Sequence, residues 1–557
     1  MPDTYNISAF LRQQAAERPD QVALRFMVPH AGPGRPVGTE LSFAELDSLS
    51  DRYARGFERI GLKRGMRTLV LARPELDFFA FMFGLFKMGA IPVLLDPGMG
   101  MKRLLACIET NAPEAMVALP LVHLVRLFVR RPFATVKTLV TVGKRWLWGG
   151  STLEDVLEAG SQESGPYELQ DFSADDEAAI IFTSGSTGPP KGGSFRHGAF
   201  HQVVGNVQQM FDFQPGEAHL EAFASFAFWD VCAGMTVVIP KGNLTKMATV
   251  DPADVVAAIQ GSACSCALAS PIVWANVLRW CQDNQVKLDT LTRAITMGAP
   301  IQADMHRRFQ EVAGVELHTP YGATESLTVS TISTSAILGE TLALTARGQG
   351  TCIGHPVPGT EVFIIGITEA PIETWSDELC LPAREIGEIT VGGLVVSPEY
   401  KDLPEANASS KIADGRRVLH RMGDLGYLDE DGRLWFCGRK THRLQTVDGM
   451  VPAVPVEGVV NEHDAVFRSA LVGVGASGAQ VPVLLVELEA GEAWRPELEA
   501  ELLAMFEGTR WEGVVAKVTP YEGFPVDPRH NSKIRRGHLK AWADTRFAEL
   551  TSALETT

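Results

Sequence analysis

Apolar and polar positions alternate with two different periods along the first two hundred residues. Leu46, Leu49, Tyr53 and Phe57 recur every three to four residues, which predicts a helical face. Ser42 and Glu45, just ahead of them, form a capping-box pattern. "RTLVLA" (67–72) predicts a buried strand, 76–88 a helix, and "IPVLL" (91–95) the next strand. The most apolar run, "FFAFMFGLFKMGAIPVLLD", is interrupted by Lys87, Gly89 and Pro92, so it divides into a buried helix and a buried strand rather than spanning a bilayer. Ala178 to Phe182 is a further apolar strand, and Phe200, Val203, Val204, Val207 and Met210 then mark a helix. Alternation of this kind predicts an α/β fold, a parallel sheet covered by helices. Binding loops are then expected at the carboxyl ends of the strands.

From about residue 345 the texture changes. "GTCIGHPVPGTEVFIIG" and "GEITVGGLVVSPEY" contain short strands divided by Gly and Pro, predicting a β-rich subdomain over about 345–437. A mixed pattern returns afterwards. The expected organisation is a large N-terminal domain, 1–438, and a small mobile α+β domain, 439–557, hinged near 438–442. At 557 residues the chain exceeds one ordinary core, in keeping with more than one domain.

Composition narrows the function classes. With 45% apolar and 21% charged residues the chain is globular rather than disordered. A formal net charge of −17 argues against nucleic acid as a partner. The eight cysteines are scattered, and Cys264 and Cys266 lack CxxC spacing, so neither a zinc site nor a disulfide framework is indicated. With no signal-peptide pattern at the start, a cytoplasmic protein is expected. One stretch stands apart: between Glu114 and Glu154 there is no acidic residue, but Arg126, Arg130, Arg131, Lys137, Lys144 and Arg145 alternate with Leu121, Val125, Phe128, Phe133, Trp146 and Trp148. It reads either as an ordinary helix and strand with solvated cations, or as a surface, about 120–148, that rests on a membrane or a partner.

The densest chemistry lies in "IFTSGSTGPPKGGSFRHG", 181–198. Thr183, Ser184, Ser186 and Thr187 supply hydroxyls, Gly185 and Gly188 let backbone N–H groups approach a ligand, and Lys191 supplies a point charge. This suits phosphate oxygens, although the spacing is not that of a Walker loop. Four further clusters follow: "TMGAP" with Gly298, Ala299 and Pro300; "VELHTPYGATES" with Tyr321, Gly322, Ala323, Thr324 and Glu325; "HRMGDLGYLDEDGRLWFCGRK" with Asp424 and Arg439; and "FPVDPRHNSKIRR" with Lys533.

In this order and at these distances the five clusters resemble the adenylate-forming superfamily of acyl-CoA synthetases, luciferases and peptide-synthetase adenylation domains. The resemblance covers essentially the whole chain and implies the adenylate-forming fold, with ATP and Mg²⁺ as cofactors. It implies that Thr183, Ser184, Gly185, Ser186, Thr187, Gly188 and Lys191 cradle the β- and γ-phosphates. Gly298, Ala299 and Pro300 would line the adenine, with Tyr321, Gly322 and Ala323 on its other side. Thr324 would bind the α-phosphate, Glu325 would hold Mg²⁺, and Asp424, aided by Arg439, would accept the ribose hydroxyls. Lys533 would bridge the substrate carboxylate and the α-phosphate once the small domain has rotated. Lys533, Thr324, Glu325 and Lys191 are therefore the expected catalytic set.

Two departures from the superfamily pattern matter. Ala227 stands where many relatives carry a gating histidine, amid Phe223, Phe226, Phe228 and Trp229, which read equally as pocket wall or core. Beyond Gly438 and Arg439, "GRKTHRLQ" lacks the usual acidic hinge and the lysine that attends thiol transfer. "SFAFWDVCAGMTVVIP", "GRKTHR" and "FPVDPRHNSKIRR" resemble one branch, the β-lactone synthetases of bacterial long-chain olefin biosynthesis. That branch implies a long-chain 2-alkyl-3-hydroxy acid, activated as its adenylate and closed by its own 3-hydroxyl, in company with a thiolase, a reductase and a β-lactone decarboxylase. The alternatives are a long-chain acyl-CoA ligase and an inactive scaffold. His197, His420 and His442 lie near motif segments as candidate bases for the 3-hydroxyl, the leaving phosphate is a further candidate, and the sequence does not choose among them.

Overall fold

The protein is described by a computed structural model covering residues 4–27, 38–182, 190–224, 226–298, 301–526 and 534–552. Two large sheets are built from residues up to 356. The first has seven strands in the order Ser151–Thr152, Thr138–Thr141, Ala115–Ala118, Arg67–Leu71, Ile91–Leu94, Glu177–Phe182 and Gly192–Arg196. All neighbours run parallel except the last pair. The capping box is formed: Ser42 and Glu45 exchange hydrogen bonds with each other's backbone at the start of helix Phe43–Arg59.

The strand Gly192–Arg196, between the expected phosphate loop and helix His197–Phe211, was not anticipated by the apolar pattern. Its cause is steric. A Cβ on Gly192 would lie 2.7 Å from the Phe182 ring, and one on Gly193 would lie 3.0 Å from Ser397 Oγ. Two consecutive residues without side chains let this strand slide between its partner strand and residue 397, a fit that periodicity does not reveal.

The second sheet has nine strands, in the order His355–Pro356, Ser326–Ser333, Glu316–Ala323, Arg293–Thr296, Cys266–Ala269, Ala218–Glu221, Thr236–Ile239, Val22–Met27 and Gly38–Ser42. Helix Leu76–Met88 packs into the main core. Phe79 and Phe83 of this helix lie 4.9 and 5.3 Å, ring to ring, from Phe228. Ala227, Phe228 and Trp229 are buried in that core, while Phe223 and Phe226 are half-buried.

Residues 351–439 form an antiparallel six-stranded sheet in which Arg417–Leu428 is central, flanked by Gly387–Gly393 and Leu434–Arg439. After the turn Lys440–His442 come the hairpin Leu444–Thr446/Gly449–Val451 and a three-stranded sheet, Val466–Val474, Val481–Leu488 and Lys517–Pro520. Trp511 Nε1 donates to Gly348 O at 2.7 Å, joining this last region to the preceding one. All eight cysteines are free thiols. No helix among the described residues is long and apolar enough to cross a membrane.

Lys87, which interrupts the most apolar run, is fully buried rather than solvated. Its Nζ lies 2.5 Å from both Asp47 Oδ1 and Asp51 Oδ1 on helix Phe43–Arg59, and Arg12 also contacts both aspartates. A charge can sit at that depth because it is paired and hydrogen-bonded. Lys87→Met leaves two enclosed carboxylates short of a cation. The expected loss is about 3–5 kcal/mol in a denaturant titration, as for other buried pairs broken on one side. An unchanged unfolding midpoint would show that the pair does not hold the two helices together.

Candidate functional site

Thr183, Ser184, Gly185, Ser186, Thr187, Gly188, Ala299, Pro300 and Lys533 lie outside the described residues. The other expected site residues, Lys191, Gly298, Tyr321, Gly322, Ala323, Thr324, Glu325, Asp424 and Arg439, are all described, and most gather where the nine-stranded and six-stranded sheets meet.

Strands Glu316–Ala323 and Ser326–Ser333 are joined by a tight turn at Thr324 and Glu325. Gly322 is required beside this turn, since a Cβ there would come within 1.7 Å of Leu327 O. Tyr321, from the first strand, donates its hydroxyl to Asp424 Oδ2 at 2.6 Å. Asp424 and Arg439 are cross-strand partners, and Arg439 Nη1 is 2.9 Å from Asp424 Oδ1. That oxygen is buried and takes no well-aligned hydrogen bond, so an acceptor position stays open. Burial pushes the Asp424 carboxyl up, against the opposing effects of Arg439 and the Tyr321 hydroxyl. Gly298 follows strand Arg293–Thr296 with φ +95, a conformation that favours glycine.

Glu325 is held in the same manner by a different tyrosine. Tyr400 donates its hydroxyl to Glu325 Oε1 at 2.7 Å, and Ser397 N donates to Glu325 O at 2.8 Å. Two ammonium groups flank the Tyr400 ring: Lys191 Nζ is 4.8 Å and Lys411 Nζ 5.1 Å from its centroid. Lys411 also donates to Ser397 O and faces His420 across the paired strands. Strand Gly192–Arg196 is fastened to this segment by Ser194 N to Glu399 O, 3.0 Å, and Lys401 N to Gly192 O, 2.8 Å. Lys191 is thereby brought over Glu325's partner.

Burial lowers the Lys411 amine to about 7; the charge of Glu325 opposes this and that of Lys191 reinforces it. Tyr400 and Lys411 belong to none of the sequence clusters. Nothing in "SPEYKDLPEANASSKI" marks them, because their importance comes from contacts with residues 75 or more positions away.

The three histidines near the motifs are all hard to protonate; His197 and His420 are buried and His442 is half-buried. His197 stacks on Phe172 at 4.2 Å and is lowered to about 4, chiefly by burial. His442 is lowered to about 4 by burial and then by Arg536 and Arg439. His420 lies well below its ordinary value through burial and Lys411. A further buried group, unmarked by any sequence pattern, comprises His219, Glu221 and Asp230, with His219 Nδ1 3.0 Å from Asp230 Oδ2. The segment after Arg439 is cationic and pinned: Lys440 pairs with Glu388 at 3.2 Å and Arg443 with Glu369 at 2.9 Å.

Residues 11–401 match the family described as AMP-binding enzyme. Over 551 residues the chain is 42% identical to the olefin beta-lactone synthetase of Stenotrophomonas maltophilia, covering 97% of this chain and 98% of that protein. It is also 42% identical over 549 residues to the olefin beta-lactone synthetase of Xanthomonas campestris pv. campestris, covering 97% of each. Among solved structures, the amide bond synthetase McbA from Marinactinospora thermotolerans has the same fold, with a TM-score of 0.76 at 21% identity, over 96% of this chain and 99% of that chain.

The buried amine gives a test of the site's electrostatics. Lys411 has a folded value of about 7 against an ordinary 10.5. Between those values the unfolded chain holds a proton that the folded chain lacks, so this group makes stability rise with pH from about 7 to 10.5 and has no such effect below 7. The thermal midpoint of the parent minus that of Lys411→Met is therefore expected to grow across that window. A difference independent of pH would place the amine in water.

Proposed function

This chain belongs to the family of AMP-binding enzymes and is an ATP-dependent, AMP-forming ligase; from that premise we propose that it makes β-lactones. Its substrate is a long-chain 2-alkyl-3-hydroxy acid. A carboxylate oxygen attacks the α-phosphorus of ATP and pyrophosphate leaves. The 3-hydroxyl oxygen then attacks the carbonyl carbon of the acyl adenylate, its proton passing to a base or to the departing phosphate, the bond from that carbon to the phosphate oxygen breaks, and AMP departs as the four-membered ring closes. The observation that carries this reading is the 42% identity, over nearly the full length of both chains, to two proteins named olefin beta-lactone synthetase.

The residues fit the chemistry. In-line attack of one anion on another needs cations and donors already in place. Lys191, beside the Tyr400 ring, supplies such a cation where a triphosphate would lie, and Lys411, on the same ring, supplies a second when it is protonated. The acceptor capacity left on Asp424 Oδ1 suits a ribose hydroxyl, and Arg439 opposes the burial that raises that carboxyl. Thr324 would face the α-phosphate. Glu325 would hold Mg²⁺, which is satisfied by one or two protein carboxylates plus phosphate oxygens and would draw charge from the phosphates. Tyr400 would orient the Glu325 carboxylate for that contact. Thr183 to Gly188 would cradle the outer phosphates, and Gly298, Ala299 and Pro300 would border the adenine. Lys533 would arrive by rotation of 439–557 about the segment after Gly438.

The second step is an intramolecular one, in which a well-held nucleophile gains an effective molarity of ~10⁵ M or more. No thiol is needed. The cationic segment Lys440–Arg443, pinned to Glu388 and Glu369, stands where thioester-forming relatives place an acidic hinge and a thiol-attending lysine. A thiolase, a reductase and a β-lactone decarboxylase are the expected companions of the reaction.

Product analysis separates this reading from a long-chain acyl-CoA ligase. With ATP, Mg²⁺ and a 2-alkyl-3-hydroxy acid, AMP release is expected to be indifferent to CoA, and infrared or NMR spectra are expected to show a strained lactone carbonyl. The same acid without its 3-hydroxyl is expected to stall after one adenylation. Thioester formed in proportion to added CoA, with no lactone in its absence, would assign the enzyme to the acyl-CoA ligases.

A further inference from the structure

The acid-free stretch noted in the sequence folds as an ordinary helix, Pro120–Phe128, and strand, Thr138–Thr141, but its outward face is unusual. Leu121, Phe128, Trp146 and Leu147 are 63%, 80%, 56% and 87% exposed. The flat stacking of His123 on Trp148, 5.1 Å ring to ring, brings the helix and the loop after the strand together. Trp148 is itself buried and donates to Thr141 Oγ1 at 2.9 Å. Anchoring Trp148 inward leaves Trp146 and Leu147 facing out beside the helix.

Cations outnumber carboxylates around these apolar side chains. Arg131 pairs with Glu109 and Arg145 reaches Asp155 at 3.8 Å, whereas Arg130, Lys137 and Lys144 form no ion pair among the described residues. A chain of net charge −17 thus carries a local cationic rim around exposed aromatic and aliphatic groups. Isolated exposed leucines need no explanation, but several large apolar side chains exposed on one helix and its neighbouring loop, among an excess of cations, suit an interfacial surface. The position is also suggestive. Ala115–Ala118 and Thr138–Thr141 run parallel, within one sheet, to Glu177–Phe182, so the start of the helix and the 142–148 loop lie at the edge of the sheet where the phosphate loop begins, and the helix then runs back along the sheet toward Phe128.

We propose that helix Pro120–Phe128 and residues 144–147 dock on an anionic lipid bilayer. Phe128, Trp146 and Leu147 enter the boundary between headgroups and acyl chains, while Arg130, Arg131 and Lys144 lie at the level of the lipid phosphates. The contact is peripheral. Its use would be to draw a water-insoluble acid from the bilayer toward the strand edge; that use, unlike the docking itself, rests on the function proposed above.

Flotation of the full-length chain with vesicles tests this. Binding is expected to vesicles of phosphatidylcholine mixed with phosphatidylglycerol, to weaken in high salt, and to be absent with phosphatidylcholine alone. The double variants Phe128→Ser/Leu147→Ser and Arg130→Glu/Lys144→Glu are each expected to lower binding by about tenfold or more. Turnover of a short, soluble 3-hydroxy acid is expected to stay unchanged in both, which shows that they fold. A chain that does not float with anionic vesicles, floats equally with neutral ones, or floats as well in both variants overturns the lipid assignment and leaves the face to a protein partner. Loss of turnover on every acid, with lipid binding intact, would instead count against the proposed reaction.

Discussion

Two carboxylates, Asp424 buried and Glu325 half-buried, are each gripped by a tyrosine hydroxyl and organise the junction between the nine-stranded and six-stranded sheets. Tyr321 holds Asp424 and Tyr400 holds Glu325. Taking carboxylates out of water is costly unless donors and cations replace the lost hydration. Arg439 does this for Asp424, while Lys191 and Lys411 lie close to the Tyr400–Glu325 pair. Each grip also crosses between sheets: Tyr321 and Glu325 come from the nine-stranded sheet and its turn, Asp424 from the six-stranded sheet, and Tyr400 from the segment that clamps strand Gly192–Arg196. The charges that would meet a nucleotide are therefore the same groups that fasten the sheets together.

That dual use makes the chemistry economical. A site intended for several anions must not fill itself with its own salt bridges, and here the cations stop short of doing so. Lys191 and Lys411 rest on an aromatic face and form no ion pair among the described residues, and Asp424 Oδ1 lacks an aligned hydrogen bond. Groups left partly satisfied in this way are preorganised for charge that arrives with a substrate, which is where fixed dipoles and cations contribute most to rate.

Local pattern made much of this legible. Helix Leu76–Met88, the Ser42–Glu45 cap and the alternation of strands and helices follow from periodicity and cap chemistry within a few residues of one another. The clusters around Lys191, Glu325 and Asp424 were visible because small, hydroxyl and charged residues crowd into short loops. Contacts made across long sequence distances were not. Lys87 reads as an interruption of an apolar run, yet it is buried because two aspartates from another helix await it. Lys411 and Tyr400 look like surface residues until strand pairing brings them against Glu325 and Lys191. Phe228, equally a pocket wall or core by composition, is core because helix Leu76–Met88 surrounds it with phenylalanines. For Lys533 and the loop from Thr183 to Gly188, sequence alone carries the reading.

The order of bond making can be followed directly through oxygen. A 2-alkyl-3-hydroxy acid labelled with ¹⁸O in both carboxyl positions, turned over with unlabelled ATP, distinguishes activation of the carboxylate from activation of the hydroxyl by mass spectrometry. Attack of the carboxylate on ATP followed by ring closure from the 3-hydroxyl predicts AMP carrying one ¹⁸O and a lactone that retains one, in its carbonyl. Unlabelled AMP beside a lactone that keeps both ¹⁸O atoms would mean that the hydroxyl is the group activated, and that no acyl adenylate is formed.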